Sequence, residues 1–139
     1  LDQALREYRR QFKPSIQLKQ PYAMPCVSVI VADTDAQAKR LFSSIQQRFI
    51  GMVRNQPGKL PAPIDDIERY WHPSEKAHIE SMLSCAFVGS VDTVRKQLQQ
   101  FLLRTGANEL MVSAGIFEQD ERLHSYELLS KIGQELEPV

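Results

Sequence analysis

Cysteine is scarce in this chain: Cys26 and Cys85 are the only two among 139 residues. Each lies in an apolar, strand-like run, which favours buried free thiols over a disulfide and a cytoplasmic setting. No excess of one charge exists either, because seventeen basic residues face seventeen acidic ones. A zero balance supplies no broad field for a nucleic acid or an anionic membrane, so neither is an expected partner. No apolar run approaches the roughly 20 residues of a membrane span, and no secretory h-region is present. Histidine is equally rare: His72, His78 and His124. The first two are spaced i,i+6, off a common helical face. No cysteine or carboxylate completes a metal set, so no metal is expected. A nucleophile with its base is also missing, since Cys85 has no histidine nearby and its apolar setting disfavours a thiolate.

What is present is ordinary globular composition, 42% hydrophobic and 24% charged. At this length one domain can bury roughly 68–70% of its unfolded surface. The clearest unit runs from Cys85 to Val112. Cys85-Ala86-Phe87-Val88 is a short apolar run closed by Gly89, which predicts a buried strand. Ser90 suits an N-cap, and Asp92 puts negative charge in the first helical turn. Val91, Val94, Leu98, Phe101 and Leu102 form one apolar helical face. Gly106 is placed for a left-handed C-cap, and Leu110-Met111-Val112 restarts as a second buried strand. This is a βαβ unit, with parallel strands and a right-handed crossover.

Around it the same pattern repeats. Leu1, Ala4, Leu5, Tyr8 and Phe12 share a helical face, and Pro14 ends that helix. Cys26–Val31 reads as a strand buried on both faces, with Pro25 at its start. Asp33-Thr34-Asp35 then opens a helix whose stripe is Ala38, Leu41, Phe42, Ile45, Phe49 and Ile50, ending near Val53. Residues 54–63 hold three prolines and a glycine and cannot be regular. A short helix is expected in Ile64–Trp71. Pro73 opens another, running to Ser84 with Ala77, Ile79, Met82 and Leu83 inward. The last helix carries Leu123, Tyr126, Leu129, Ile132 and Leu136. Three strand–helix units preceded by an orphan helix suggest a small open α/β sheet or part of a (β/α)8 barrel. A whole barrel takes about 250 residues, so 139 could form only a piece. The start at Leu1, inside a helical pattern, likewise suggests a piece of something longer.

Several segments carry a family resemblance as an ordered set. They are Tyr8-Arg9-Arg10-Gln11-Phe12-Lys13-Pro14-Ser15, Pro21-Tyr22-Ala23-Met24, Val29-Ile30-Val31-Ala32-Asp33-Thr34-Asp35 and Gly58-Lys59-Leu60-Pro61-Ala62-Pro63-Ile64. Trp71-His72-Pro73-Ser74-Glu75, Phe87-Val88-Gly89-Ser90, Glu109-Leu110-Met111-Val112, and Ile116-Phe117 leading to Arg122-Leu123-His124-Ser125-Tyr126-Glu127 complete it. Together they resemble the bacterial luciferase-like flavin monooxygenases, nearest the stand-alone single-chain branch. The resemblance implies an α/β fold, the C-terminal part of a (β/α)8 TIM barrel: three strand–helix units plus a preceding helix, residues 1–139. It implies a cytoplasmic oxidoreductase using reduced FMN, oxygen and a small-molecule substrate, with a flavin reductase as flavin source. The family's phosphate-clamping residues lie in earlier strands, so the chain alone should be inactive, and its catalytic residues are not identifiable.

Candidate site residues are therefore few. Ser90, at a helix N-terminus, can hold a phosphate or act as a plain N-cap; the family's phosphate position favours the cap. Ser113 and Gly115, after the last strand, would let a flavin approach closely, or simply form a strand exit. The irregular segment 54–72, with Lys59, Tyr70 and Trp71, matches a mobile loop of the family and would act as a water-excluding lid, or as a solvated linker. Strand edges at 26–31 and 109–113 lack their barrel neighbours, so a homo-oligomer is expected. The alternative to an enzyme section is a small non-catalytic α/β interaction or regulatory module.

Overall fold

A computed structural model describes residues 1–137. Its elements are α1 (Asp2–Gln11), β1 (Cys26–Val31), α2 (Asp35–Val53), a 3-10 turn (Ile67–Arg69), α3 (Pro73–Met82), β2 (Ala86–Gly89), α4 (Val91–Thr105), β3 (Met111–Ser113) and α5 (Gln119–Glu135). The three strands form one parallel sheet in the order β2-β1-β3. Consecutive barrel strands would place β2 in the middle. Here β1 is central, with Ser28 opposite Ala86 on one side and Ser113 on the other. The expectation that β1 is an open edge is thereby corrected; β2 and β3 are the edges.

The order dictates where the helices go. A right-handed crossover from β1 to β2 and one back from β2 past β1 to β3 step in opposite directions, so their helices pack on opposite faces. The burial agrees. Val27, Val29 and Val31 point to one face and form a core with Val94, Leu98 and Phe101 of α4 and Leu128 and Ile132 of α5. Ile30 points to the other, with Ala38 and Leu41 of α2 and with Ala114 and Ile116. A third cluster joins Ile50, Trp71 and Ile79 at the far end of α2. β1 is covered on both faces, as its nearly continuous apolarity requires. The edge strands are less buried than expected: Met111 and Ser113 are exposed, and Ala86, Phe87 and Val88 half-buried. Both thiols are free, with Cys26 exposed and Cys85 half-buried, so Cys26 is not the buried thiol expected.

Helical faces depart from their apolar stripes where a helix serves two neighbours. In α2 the buried positions include Ser43, Ser44 and Gln47, while Phe42, Ile45 and Phe49 are only half-buried. Two of the polar ones serve the following loop: Ser43 Oγ accepts from the Ile64 N–H at 2.8 Å, and Gln47 Nε2 donates to the Ala62 carbonyl at 2.9 Å. In α5 the buried face is Ser125, Leu128 and Ile132, not Leu123 and Tyr126. In α3 only Ile79 is buried; Ala77 and Met82 are exposed. No residue of α1 is buried. Its tethers are polar, with Arg9 donating to the Gly106 carbonyl at 2.7 Å and Arg104 donating to Asp2 at 2.5 Å. Gly106 has φ 56°, the left-handed cap expected after α4.

Ser125 has a specific duty. It is 2% exposed, and its Oγ accepts from the N–H of Val31 at 2.9 Å, across the carboxyl end of the central strand. Replacing Ser125 with Ala leaves a buried N–H unpaired, so Ser125→Ala should lower stability by about 1–3 kcal/mol. Urea denaturation of the two chains checks this.

Candidate functional site

The carboxyl ends of β1 and β3 are where an open α/β sheet builds a crevice. Adjacent strands whose following helices leave to opposite faces splay apart there. After β1 the chain leads into α2 on one face; after β3 it leads into α5 on the other. Between them Asp33, Gln37, Asp120, Glu121 and His124 line a cavity of about 250 Å³.

The peptide Asp33-Thr34-Asp35 organises this rim. Thr34 Oγ1 accepts from the Gln37 N–H at 3.2 Å and caps α2. Asp35 Oδ1 accepts from the Ser90 N–H at 2.6 Å, so a carboxylate sits at the start of α4. That bond, with Thr93 and the Ser90 hydroxyl assisting, holds the Asp35 carboxyl below its ordinary range. Asp33 Oδ1 lies 3.0 Å from His124 Nε2 on α5. This bond raises the His124 pKa, against a small opposing effect of burial. Glu127 adds a second carboxylate 3.8 Å from His124 Nδ1. Next in sequence, Tyr126 accepts at its hydroxyl from the Ala114 N–H at 3.1 Å. Among the described residues no group of three or more His, Cys, Asp or Glu could hold a metal ion.

The residues singled out from sequence do not converge on one ligand position. Ser90 caps α4 in position, yet its side chain makes no capping bond, and Asp35 occupies the N–H that a phosphate would need. Gly89 has no room for a side chain: a Cβ would lie 2.6 Å from Thr93 Cγ2 and 2.7 Å from Asp35 Oδ1. Gly115 is small for an internal reason, since a Cβ there would overlap Ile45 of α2. Ser113 is exposed and lines a separate cleft of about 200 Å³ with Ser28, Phe49, Met82, Leu83 and Ala86.

Comparison with known proteins shows what the chain is similar to. A protein named luciferase-like monooxygenase from Escherichia coli strain K12 is 44% identical over 98% of this chain. Over the matched span the chain is similar to the luciferase-like monooxygenases. It spans 41% of that relative's length. The uncharacterized protein YvbT of Bacillus subtilis strain 168 is 40% identical, over 93% of the chain and 38% of YvbT. Among solved structures, the crystal structure of apo-MsnO8 matches with a TM-score of 0.75 and 29% identity, covering 99% of this chain and 42% of MsnO8. No protein-family model matches the chain. No helix among the described residues is long and apolar enough to cross a membrane.

In this luciferase-like chain the segment 54–72 splits in two. Residues 54–59 are exposed, and Lys59 is among them. Residues 62–71 run back along α2 and are tied down. Besides the Ser43 and Gln47 bonds, Arg40 pairs with Asp65 at 2.7 Å. Arg54 pairs with Glu75 at 2.7 Å, donates to the Tyr70 carbonyl at 3.0 Å and lies over the Tyr70 ring. Trp71 is 8% exposed and packs on Ile50 and Ile79. Ile50 is fifteen positions beyond Asp35, roughly 22 Å along α2 at 1.5 Å per residue. Trp71 is thus a core anchor at the amino end of the sheet, far from the carboxyl rim. Sequence periodicity could not separate a loop tryptophan that packs from one that covers a ligand.

These contacts fix two outcomes. Trp71→Ala should cost about 3–5 kcal/mol of stability, whereas Lys59→Ala should leave the thermal midpoint unchanged. The Glu75 carboxyl is held down at about 2, chiefly by the Arg54 guanidinium and then by the His72 N–H. A depressed carboxylate stabilises above its unfolded value and loses that contribution as pH falls. The stability difference between the parent and Glu75→Gln should therefore be full at neutral pH. It should shrink between the ordinary glutamate value of 4.5 and about 2. Thermal melts across that range measure it.

Proposed function

We propose that this chain is one section of a luciferase-like oxidoreductase, a monooxygenase that in its intact form uses reduced flavin mononucleotide and oxygen on a small-molecule substrate. The observation that carries the reading is 44% identity, sustained over 98% of the chain, to a protein named luciferase-like monooxygenase. In this reading the flavin supplies the oxygen chemistry, and the protein binds, orients and excludes water. A separate flavin reductase and a cytoplasmic location belong to the same proposal, as does self-association through the open edges of β2 and β3. The β2-β1-β3 order, with helices on both faces, is that of an open sheet and not of three consecutive barrel strands.

The residues present do not fit the flavin's phosphate. The helix N-terminus at Ser90 already faces the Asp35 carboxylate, and the β1/β3 crevice is lined by Asp33, Asp120 and Glu121. Bringing a phosphate dianion there means like-charge repulsion in place of the donors it requires. Within the proposal, phosphate binding falls to residues outside this chain. Ser113, exposed at the end of β3, is the sequence-chosen residue best placed to meet a ligand. The same acidic rim favours a second reading, a small non-catalytic interaction or regulatory module.

Titration of flavin mononucleotide fluorescence separates the two. The 139-residue chain should show no saturable quenching in the submicromolar range. The intact protein encoded by the same reading frame should bind reduced flavin and consume oxygen when a flavin reductase supplies it. An intact protein that does neither supports the module reading. Tight binding by the chain alone would place the phosphate site in these residues, against the misfit described above.

A further inference from the structure

Three successive α5 residues reach the rim, and they differ in chemistry. Ser125 takes the Val31 N–H and Tyr126 takes the Ala114 N–H, both as neutral hydroxyl acceptors. Neither bond involves a charged group. His124 meets Asp33 through a ring that changes charge near neutrality. Doubly protonated, the ring donates from Nε2 to the carboxylate with charge assistance. Neutral, it loses the charge, and one of its two tautomers turns a lone pair toward the carboxylate.

Its surroundings are acidic from more than one element. Asp33 faces it from the β1–α2 connection. Glu121 and Glu127 act on it from its own helix, and Asp120 lines the same cavity. From α2 comes uncharged Gln37, whose Nε2 donates to Glu121 at 3.3 Å. All the carboxylates favour the protonated ring, and Asp33 is the one whose bond spans the crevice. Asp33 is also covalently continuous with Thr34 and Asp35, which hold the starts of α2 and α4. A change at the His124 contact therefore has a mechanical route to the carboxyl ends of all three strands.

We propose that His124 is a pH-operated clasp on this rim: protonated, it draws the Asp33–Asp35 connection against α5; neutral, it releases that connection and widens the β1/β3 crevice. The sign follows from linkage. A histidine whose folded pKa is raised stabilises fully below the unfolded value, and this contribution disappears as pH rises through the folded value. The closed rim is the acidic-to-neutral state, and the loosened rim the alkaline one. Ser125 and Tyr126 keep α5 docked in both, so the change is local.

Nuclear magnetic resonance titration of the full chain reads this out. The His124 ring should titrate above the free-imidazole value of about 6.5. The amides of Thr34, Asp35 and Ser90 should shift with the same midpoint, while those of Val27 and Val29 stay still. Asp33→Asn removes a charge at an exposed site and should move the midpoint downward. His124→Gln should abolish the coupled shifts of the rim amides. The proposal is overturned if the Asp33→Asn midpoint equals the parent's, or if the rim amides do not follow the His124 ring.

Discussion

The peptide between β1 and α2 holds three helices at once. Asp33 reaches α5 through His124, Thr34 caps the helix that follows it, and Asp35 covers the first N–H ahead of α4. Each helix start leaves unpaired donors, and two of the three are met here by consecutive side chains. This is possible because β1 is the central strand, so its carboxyl end lies between the ends of β2 and β3. Glycine at 89 is a consequence: the approach of the Asp35 carboxylate and Thr93 leaves no space for a Cβ. At the opposite end of β1, Asn108 plays a matching part, its Oδ1 accepting from the Ala23 N–H at 2.8 Å ahead of β3.

Much of the secondary structure was legible from local chemistry. Gly106 as a left-handed cap, Pro73 as the first residue of α3, the nearly continuous apolarity of Cys26–Val31 and the prolines of residues 54–63 each announce a backbone state without reference to the rest of the chain. Strand order was not legible. Two parallel strands joined by a helix can be neighbours or can leave a gap for a third, and the crossover rule sets handedness but not spacing. Helical faces misled for a related reason. Ser125 and Gln47 are buried because a strand N–H and a loop carbonyl need partners, a demand invisible to hydrophobic periodicity.

The site divides along the same line. Ser90, Ser113 and Gly115 lie at or just past strand ends, because their position in a strand–helix unit determines that much. Their duties were not readable. Ser90 presents its N–H to Asp35, and Gly115 makes way for Ile45, so both answer to the fold. Asp33 and His124, ninety-one positions apart, form the polar contact at the crevice, and no spacing rule links them. Two sequence signals were present, the run of polar residues following an apolar strand and the His-Ser-Tyr triplet of the last helix. Identity with luciferase-like proteins gives the likeness, while the acidic lining of this rim is unsuited to an anion.

The account stands on the centrality of β1. Inter-strand nuclear Overhauser effects on the uniformly labelled chain test it directly. Backbone contacts are expected between Val29 and Phe87 and between Val27 and Val112, with none between β2 and β3. Contacts joining Phe87 to Val112 across a shared β2–β3 ladder, with β1 paired on one side alone, would contradict it.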